Sequence, residues 1–498
     1  MSDLFEYEKP HFDNNDLIDR CRALNDNAAN KSAKYVLCWL QQSLRAYDNP
    51  VIDAAISYAN ANNLPVVVYH GMRQDYPHAS DRLHYFLLGG SRDLQTGCEA
   101  RGLRCVSYLQ TPDNIEKGLV YRLAQHARAV FAEDHPTFVA RWQTQSFASK
   151  TDAPIYAIDA ARLVPTQMLP RGLKTTPAFR AANKALREKY ADAVFDLVPK
   201  ADLHEGELGF EDVDLRQFSD GDLEELLIQC DIDHSVWTCA EFPPKREEAL
   251  LRLNRFITDY LPRYKWTRNN PAASGSGSEL SPYLHFGLLG PRELYKAVRA
   301  SEAHSAAKWK FLDEAVTWRE WFHYQAYYTD RFDTFEALPN SAKKTLLAHQ
   351  DDPRDTIYDL DTLLHGETDD LVWNAAQKQW LITGYMHNNL RMYWGKKLIG
   401  WTPDPKTAWN VACYINDRLS LDGRDPATYG NMQWCFGKAK PGYQELAVYG
   451  WVAPKSSRAL IKRDGVKDWL DTMNDRYVDK ITVPTEAEHP SYLNYPKT

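Results

Sequence analysis

Arg391 stands in ITGYMHNNLRMYWGKKLIGW (382–401) on a helical stripe with Met386, Leu390 and Tyr393 or Trp394, with Asn388 and Asn389 beside it. A cation and two amides turned inward are costly unless each finds a partner, which is either protein or a bound cofactor. Asp422, in the turn Asp422-Gly423-Arg424-Asp425-Pro426, is the expected counter-charge, and Asn416 supplies an amide nearby. Glu314 and Trp318, four apart in FLDEAVTWREWFHYQAYY (311–328), share one helical face. A carboxyl beside an indole is desolvated, which favours its protonated form; a helix-start acid next to a core tryptophan explains the spacing equally well. PAASGSGSELSPYLHFG (271–287) offers hydroxyls and backbone N–H groups to a phosphate, as an ordinary surface loop also would.

Tryptophans 373, 380, 394 and 401 keep a seven-residue register with His387 in the vacant slot. On one straight helix, Trp373 and Trp394 would stand about 31 Å apart, too far for direct electron hopping. Thr383-Gly384 is a good helix stop. A break there folds Trp373 back beside the second helix and makes a short relay possible. Eleven of the 15 tryptophans lie from Trp309 onwards, so the aromatic enrichment belongs to the second half of the chain, where most of it is expected to be core.

The elements that must position these groups fall into two kinds. YVLCWL (35–40), LPVVVYH (64–70), CVSYL (105–109), AVFAED (129–134) and PIYAID (154–159) predict buried strands. Helical patterns over 48–63, 80–102 and 112–127 alternate with them. Such alternation predicts a doubly wound, Rossmann-like parallel sheet in residues 1–165. No GxGxxG or GxxxxGK[ST] follows its first strand, so the usual dinucleotide and P-loop sites are absent. Residues 166–240 read as a long connection over the surface, and 241–498 as an all-helical domain. A chain of 498 residues, 44% hydrophobic and 25% charged, suits two or three soluble domains. The eight cysteines are dispersed without a CxxC pair. They fit reduced thiols in a cytoplasm and argue against a zinc module, so no metal is expected. The N-terminus lacks the basic start and apolar stretch of a secretory signal. The net charge of −8 means that any nucleic-acid contact needs a local basic patch.

WNAAQ, NNLRMYW followed by KKL, INDRLSLDGRDP and SPYLHFG, in this chain's order, resemble the photolyase/cryptochrome family, and within it the class II cyclobutane pyrimidine dimer photolyases. The likeness is dense over 260–437 and looser in VLCWLQQSLRAYDNPVIDAA. It implies a helical domain that holds FAD, with Tyr264, Ser278, Leu280 and Ser281 on its ribityl and phosphate groups. Arg391 and Asp422 would pair beside the flavin ring, Asn388 would lie close to it and Asn416 near its N5. Reduced, anionic FAD absorbs blue light in that family and passes an electron to a flipped-out dimer, whose cyclobutane ring splits before the electron returns. Glu314 would hydrogen-bond the dimer, and Trp318, Met392 and Trp434 would cradle it. Trp394, Trp373, Trp401 and Tyr358 would carry electrons inward.

The α/β domain of the family holds an antenna chromophore (a deazaflavin, a folate or a flavin) or none. Arg268, Lys438, Lys440 and Lys455 would contact DNA. After Trp434 this chain departs from the class II pattern: the GGKHDR-like segment is replaced by FGKAKPGYQELAVYGW. Six Lys/Arg against Glu445 over 431–463 form a local positive stretch, which suits phosphate but also a solvated face. The expected protein is a monomeric, cytoplasmic, dimer-splitting enzyme, nucleoid-associated if bacterial. The alternative is a blue-light receptor that uses the same flavin without repair. Under either reading the purified protein carries flavin absorbance, and a folded, colourless preparation would exclude both.

Overall fold

The computed structural model describes residues 8–12, 14–193, 195–438 and 444–484. Its first part is a six-stranded sheet: β1 (Cys21–Ala23), β2 (Tyr35–Leu40), β3 (Val66–Met72), β4 (Arg104–Leu109), β5 (Ala127–Glu133) and β6 (Ile155–Ile158), in the order β1-β6-β5-β2-β3-β4. All neighbours are parallel except β1, which runs antiparallel to β6 at the edge. Every residue of β2 is buried, as a strand covered on both faces requires. The helices Pro50–Asn62 and Asp81–Ala100 follow β2 and β3, as the periodicity predicts.

The parallel sheet is as expected, with an antiparallel edge strand added by β1, whose three residues are too few to show a pattern in the sequence. Two expectations need correction. Of the helix expected over 112–127 only Leu119–Gln125 forms, and a helix at Phe138–Ala148 went unpredicted. The connection 166–240 does more than cross the surface. Its helix Thr176–Ala191 buries Phe179, Asn183 and Tyr190, and Asn183 Nδ2 donates to Glu320 Oε2 at 2.6 Å. That contact fixes the helix Arg319–Tyr328, which follows the Glu314 and Trp318 segment.

From Arg246 onwards the ordered elements are helical. Helix Leu371–Thr383 ends on Gly384, whose φ of 65° is the left-handed cap that glycine adopts freely. A Cβ on Gly384 would meet Leu421 Cγ at 2.9 Å and Cys239 Sγ at 3.0 Å. The chain then turns, and helix Asn388–Trp401 starts on His387, whose Nδ1 accepts from the Asn389 N–H at 3.1 Å. Burial brings the His387 imidazole down to about 4, so the ring is neutral and free to accept. Asp370 closes the open end of this hairpin. It caps Val372 and Trp373 at 3.1 Å, receives the Tyr393 hydroxyl and pairs with Lys397 at 2.8 Å.

Arg82, on the helix after β3, joins the two parts of the molecule. Fully buried, it donates to the carbonyls of Trp237 (3.1 Å), Trp380 (3.2 Å), Leu419 (2.8 Å) and Leu381. Three of those carbonyls belong to the C-terminal turns of Leu371–Thr383 and Pro405–Leu419, where a cation also suits the helix dipole. Among the described residues no helix is long and apolar enough to cross a membrane. Arg82→Met strands these acceptors and should lower stability by about 3 kcal/mol in urea denaturation. Arg82→Lys should recover only part, since one ammonium cannot serve four carbonyls.

Candidate functional site

The hairpin turn opens onto a cavity of about 580 Å³, within the range of small-molecule sites. Arg391 lines it. Its Nη2 donates to Asp422 Oδ1 at 2.9 Å, with Met386 O and Ser420 Oγ at 3.4 Å. Burial alone would raise the Asp422 carboxyl. Arg391 and the hydroxyls of Ser420 and Ser281 outweigh it and hold the group below its ordinary value. The Arg391 guanidinium also lies 5.1 Å from the Trp380 ring centroid. Among the described residues its Nε has no partner, nor has the indole N–H of Trp434, and both residues line the cavity. Such unsatisfied buried donors fit a polar ligand.

One wall carries hydroxyls. Tyr264, Ser276, Ser278 and Ser281 line it, and the helix beginning at Ser281 is only five residues long, so side-chain hydroxyls are its main offering. At Gly277 a Cβ would come within 2.7 Å of the Tyr385 hydroxyl, so this loop packs closely against Tyr385, which also lines the cavity. Ribityl and phosphate oxygens match this donor set, and an anionic ring matches Arg391. The residues present fit a flavin dinucleotide.

Another wall is built on a π-helical turn, Asp313–Trp318, and on the kinked stretch Trp434–Lys438, where Gly437 takes a φ of 95°. Isolated π-helical turns are frequent at functional sites. The two segments bring Trp318 and Trp434 edge to face, with ring centroids 5.3 Å apart and an interplanar angle of 83°. Met392 and Glu314 complete this wall. Glu314 departs from expectation: Lys310 at 2.5 Å and Arg268 at 2.9 Å both pair with Oε1, so the carboxyl group is not left alone beside the indole but sits against two cations. Lys310 stands four residues before Glu314, a spacing that was readable and overlooked.

Behind the cavity, the break at Gly384 brings the expected tryptophans together. Trp373 and Trp394 stack at 5.7 Å and 10°. Trp401 meets Trp373 edge-on at 5.5 Å, and Tyr358 meets Trp401 at 5.3 Å. Trp394 donates to Gln377 Oε1 at 2.9 Å, and the Tyr358 hydroxyl donates to Asp369 at 3.0 Å. Trp380, left out of the expected relay, touches both Arg391 and Trp394, the latter at 5.2 Å.

Not every expected residue reaches the cavity. Asn388 lines it, whereas Leu280 and Asn416 are buried outside the lining. Asn416 Nδ2 donates to Asp417 Oδ1 at 3.2 Å. Lys438 points inward rather than to solvent: its Nζ donates to Gln325 and Gln433 at 2.7 and 2.5 Å, and burial brings the ammonium down to about 7. Lys440 lies outside the described residues. Lys455 does reach the rim, donating to Asn389 O at 3.2 Å. Sequence reasoning missed Tyr385, Asn431 and Asp425. Asp425 was read as part of a turn, yet it lines the cavity and meets His323 at 3.3 Å and His285 at 3.4 Å.

A family profile described as DNA photolyase matches residues 36–201. The chain is 30% identical over 465 residues to the deoxyribodipyrimidine photo-lyase of Methanothermobacter thermautotrophicus, covering 91% of this chain and 97% of that one. It is 28% identical over 420 residues to the protein of the same name from Arabidopsis thaliana, with coverage of 83% and 84%. A class III photolyase structure from Agrobacterium tumefaciens superposes with a TM-score of 0.65 at 18% identity, over 90% of this chain and 87% of that one. The photolyase from Sulfolobus tokodaii, solved with two FAD molecules, gives 0.61 at 17%, over 88% and 91%. At these identities the structural likeness speaks for the fold alone.

Burial, with Lys396 and Arg463 nearby, lowers the Lys455 ammonium to about 8. It is therefore charged below that pH and neutral above it. Binding of a DNA oligonucleotide should weaken between pH 7 and 9, and Lys455→Arg should flatten that dependence in a fluorescence-anisotropy titration.

Proposed function

Because this chain belongs to the photolyase/cryptochrome family, we propose that it is a light-driven DNA repair enzyme that splits cyclobutane pyrimidine dimers, closest in its motifs to the class II photolyases. The observation that carries this reading is one cavity lined by two unlike sets of residues: Arg391–Asp422 with the serine loop, and Trp318, Trp434, Met392 and Glu314. A bound, reduced FAD supplies the photoexcited electron for ring opening.

The chain's own residues do the rest. Tyr264, Ser278, Ser281 and Asn388 hold the cofactor, and Arg391 favours negative charge on its ring. The edge-to-face tryptophans make an apolar corner for a flipped dimer and exclude water from it. Glu314, an acceptor, takes the imide N–H of a pyrimidine. Lys310 and Arg268, both paired with Oε1 of the same carboxyl group, hold it in place. Trp394, Trp373 and Trp401, with Tyr358 outermost, form the route by which an electron reaches the cofactor from the surface, and Asp369 stands ready for the tyrosine proton.

One observation favours the receptor alternative: Lys438 is not presented to DNA. A single assay separates the two. Illuminating the reduced protein with a dimer-bearing oligonucleotide should restore thymines; no restoration would leave the receptor reading. Trp394→Phe should slow light-driven reduction of the oxidised protein at least tenfold while repair by chemically reduced protein continues. Loss of repair in that reduced variant would remove the relay assignment.

A further inference from the structure

We propose that Arg252, which does not line the cavity, is the positioning residue for its serine wall, holding Ser278 and Ser281 in place through Glu279; this rests on the reading of the cavity as a flavin site. The wall is thin. Gly277 and Ser278 line the flavin cavity and also a second one, of about 520 Å³. A strip of chain that lines two cavities lacks the close packing that fixes a core segment. Its backbone is also held in an unfavoured conformation. Glu279 has a φ of 55°, in the left-handed region that residues with a Cβ seldom occupy. A contact from outside the loop has to keep it there.

Arg252, on the helix Arg246–Arg255, supplies that contact. Its Nη1 donates to Glu279 Oε2 at 2.8 Å, its Nε to Glu248 Oε1 at 2.7 Å, and its Nη2 to the Glu241 carbonyl. The guanidinium lies 4.6 Å from the Phe242 ring centroid and 5.9 Å from that of Tyr283. Exposed ion pairs contribute little because two long side chains must be ordered to form them. Here the arginine is ordered already by Glu248, Glu241 and the rings, so only the half-exposed Glu279 has freedom to lose. The contacts also bracket the functional serines. Glu279 follows Ser278, and Tyr283 stands two residues after Ser281, whose hydroxyl supports Asp422, the partner of Arg391. Phe242 meets Tyr385 at 5.6 Å, and Gly277 packs against Tyr385. Arg255 provides the contrast. It lines the same second cavity, but its Nη2 donates to the Tyr260 hydroxyl at 2.9 Å and reaches no part of the serine wall.

The test uses the full-length protein loaded with FAD and follows cofactor release after dilution by the fluorescence of the freed flavin. Arg252→Met and Glu279→Gln should each release FAD about fivefold faster. The double variant should release it no faster than the quicker single, because both changes remove one tie. Arg252→Lys, which keeps the charge but loses the fork, should fall between Arg252→Met and the unmodified protein. Arg255→Met should stay within about twofold of the unmodified protein, which separates the tie from the general positive charge of the helix. Unchanged release in Arg252→Met or Glu279→Gln, effects that multiply in the double variant, or an equal effect of Arg255→Met would each overturn the assignment while leaving the flavin site in place. Failure of the unmodified protein to hold FAD would overturn the reading of the cavity, and this one with it.

Discussion

The turn between Thr383 and Asn388 is the constraint on which the site depends. Had the chain continued as one helix, Trp373 and Trp394 would lie at opposite ends of a rod. Gly384 ends the first helix in a conformation that other residues adopt only with strain, and His387 restarts the second by accepting a backbone N–H. Asp370 then locks the far end of the pair through Tyr393 and Lys397. Arg82 holds the near end from the other part of the molecule, using only carbonyl oxygens as partners. The stacked indoles, the inward guanidinium of Arg391 and the cavity it lines all follow from that reversal.

Two buried arginines a short distance apart in the structure show how context sets the use of a charge. Arg82 donates to four backbone carbonyls, three of them at helix ends, and is thereby a structural tie. Arg391 has a carboxylate partner but keeps Nε unpaired. Desolvation is severe for both, and only the second retains capacity toward a ligand. A cation that is fully satisfied fixes a fold, and one that is partly satisfied leaves room for chemistry.

Much of this was legible in the sequence, for identifiable reasons. The buried strands were readable because uninterrupted runs such as VVVYH have no other comfortable environment. The Gly384 break was readable because a glycine follows a helical run where the relay needs one. Arg391 and Asp422 were readable as a costly charge with a complementary one nearby. The three-residue β1 was not, since a pattern needs length. The pairing of Glu314 with two cations was missed because its aromatic neighbours suggested dryness while Lys310, one turn earlier, went unconsidered. Asp425 was concealed by its place in a turn motif, and the inward direction of Lys438 depends on Gln325, more than a hundred residues away. Nor does any residue type announce a π-helical turn, which arises from packing on both sides of the helix.

The π-helical turn 313–318 carries an implication for how the chain tolerates change. It holds an extra residue in the axial space of an ordinary turn, so everything after it is rotated by roughly 100° relative to a regular helix. Downstream of 313–318, Arg319 leans toward Asp425, and Glu320 reaches back to Asn183 and the Leu163 N–H. Removing one residue from this stretch would swing both side chains off their partners, although no contact residue had been altered. The segment can therefore absorb exchanges of side chain far more readily than a single-codon deletion.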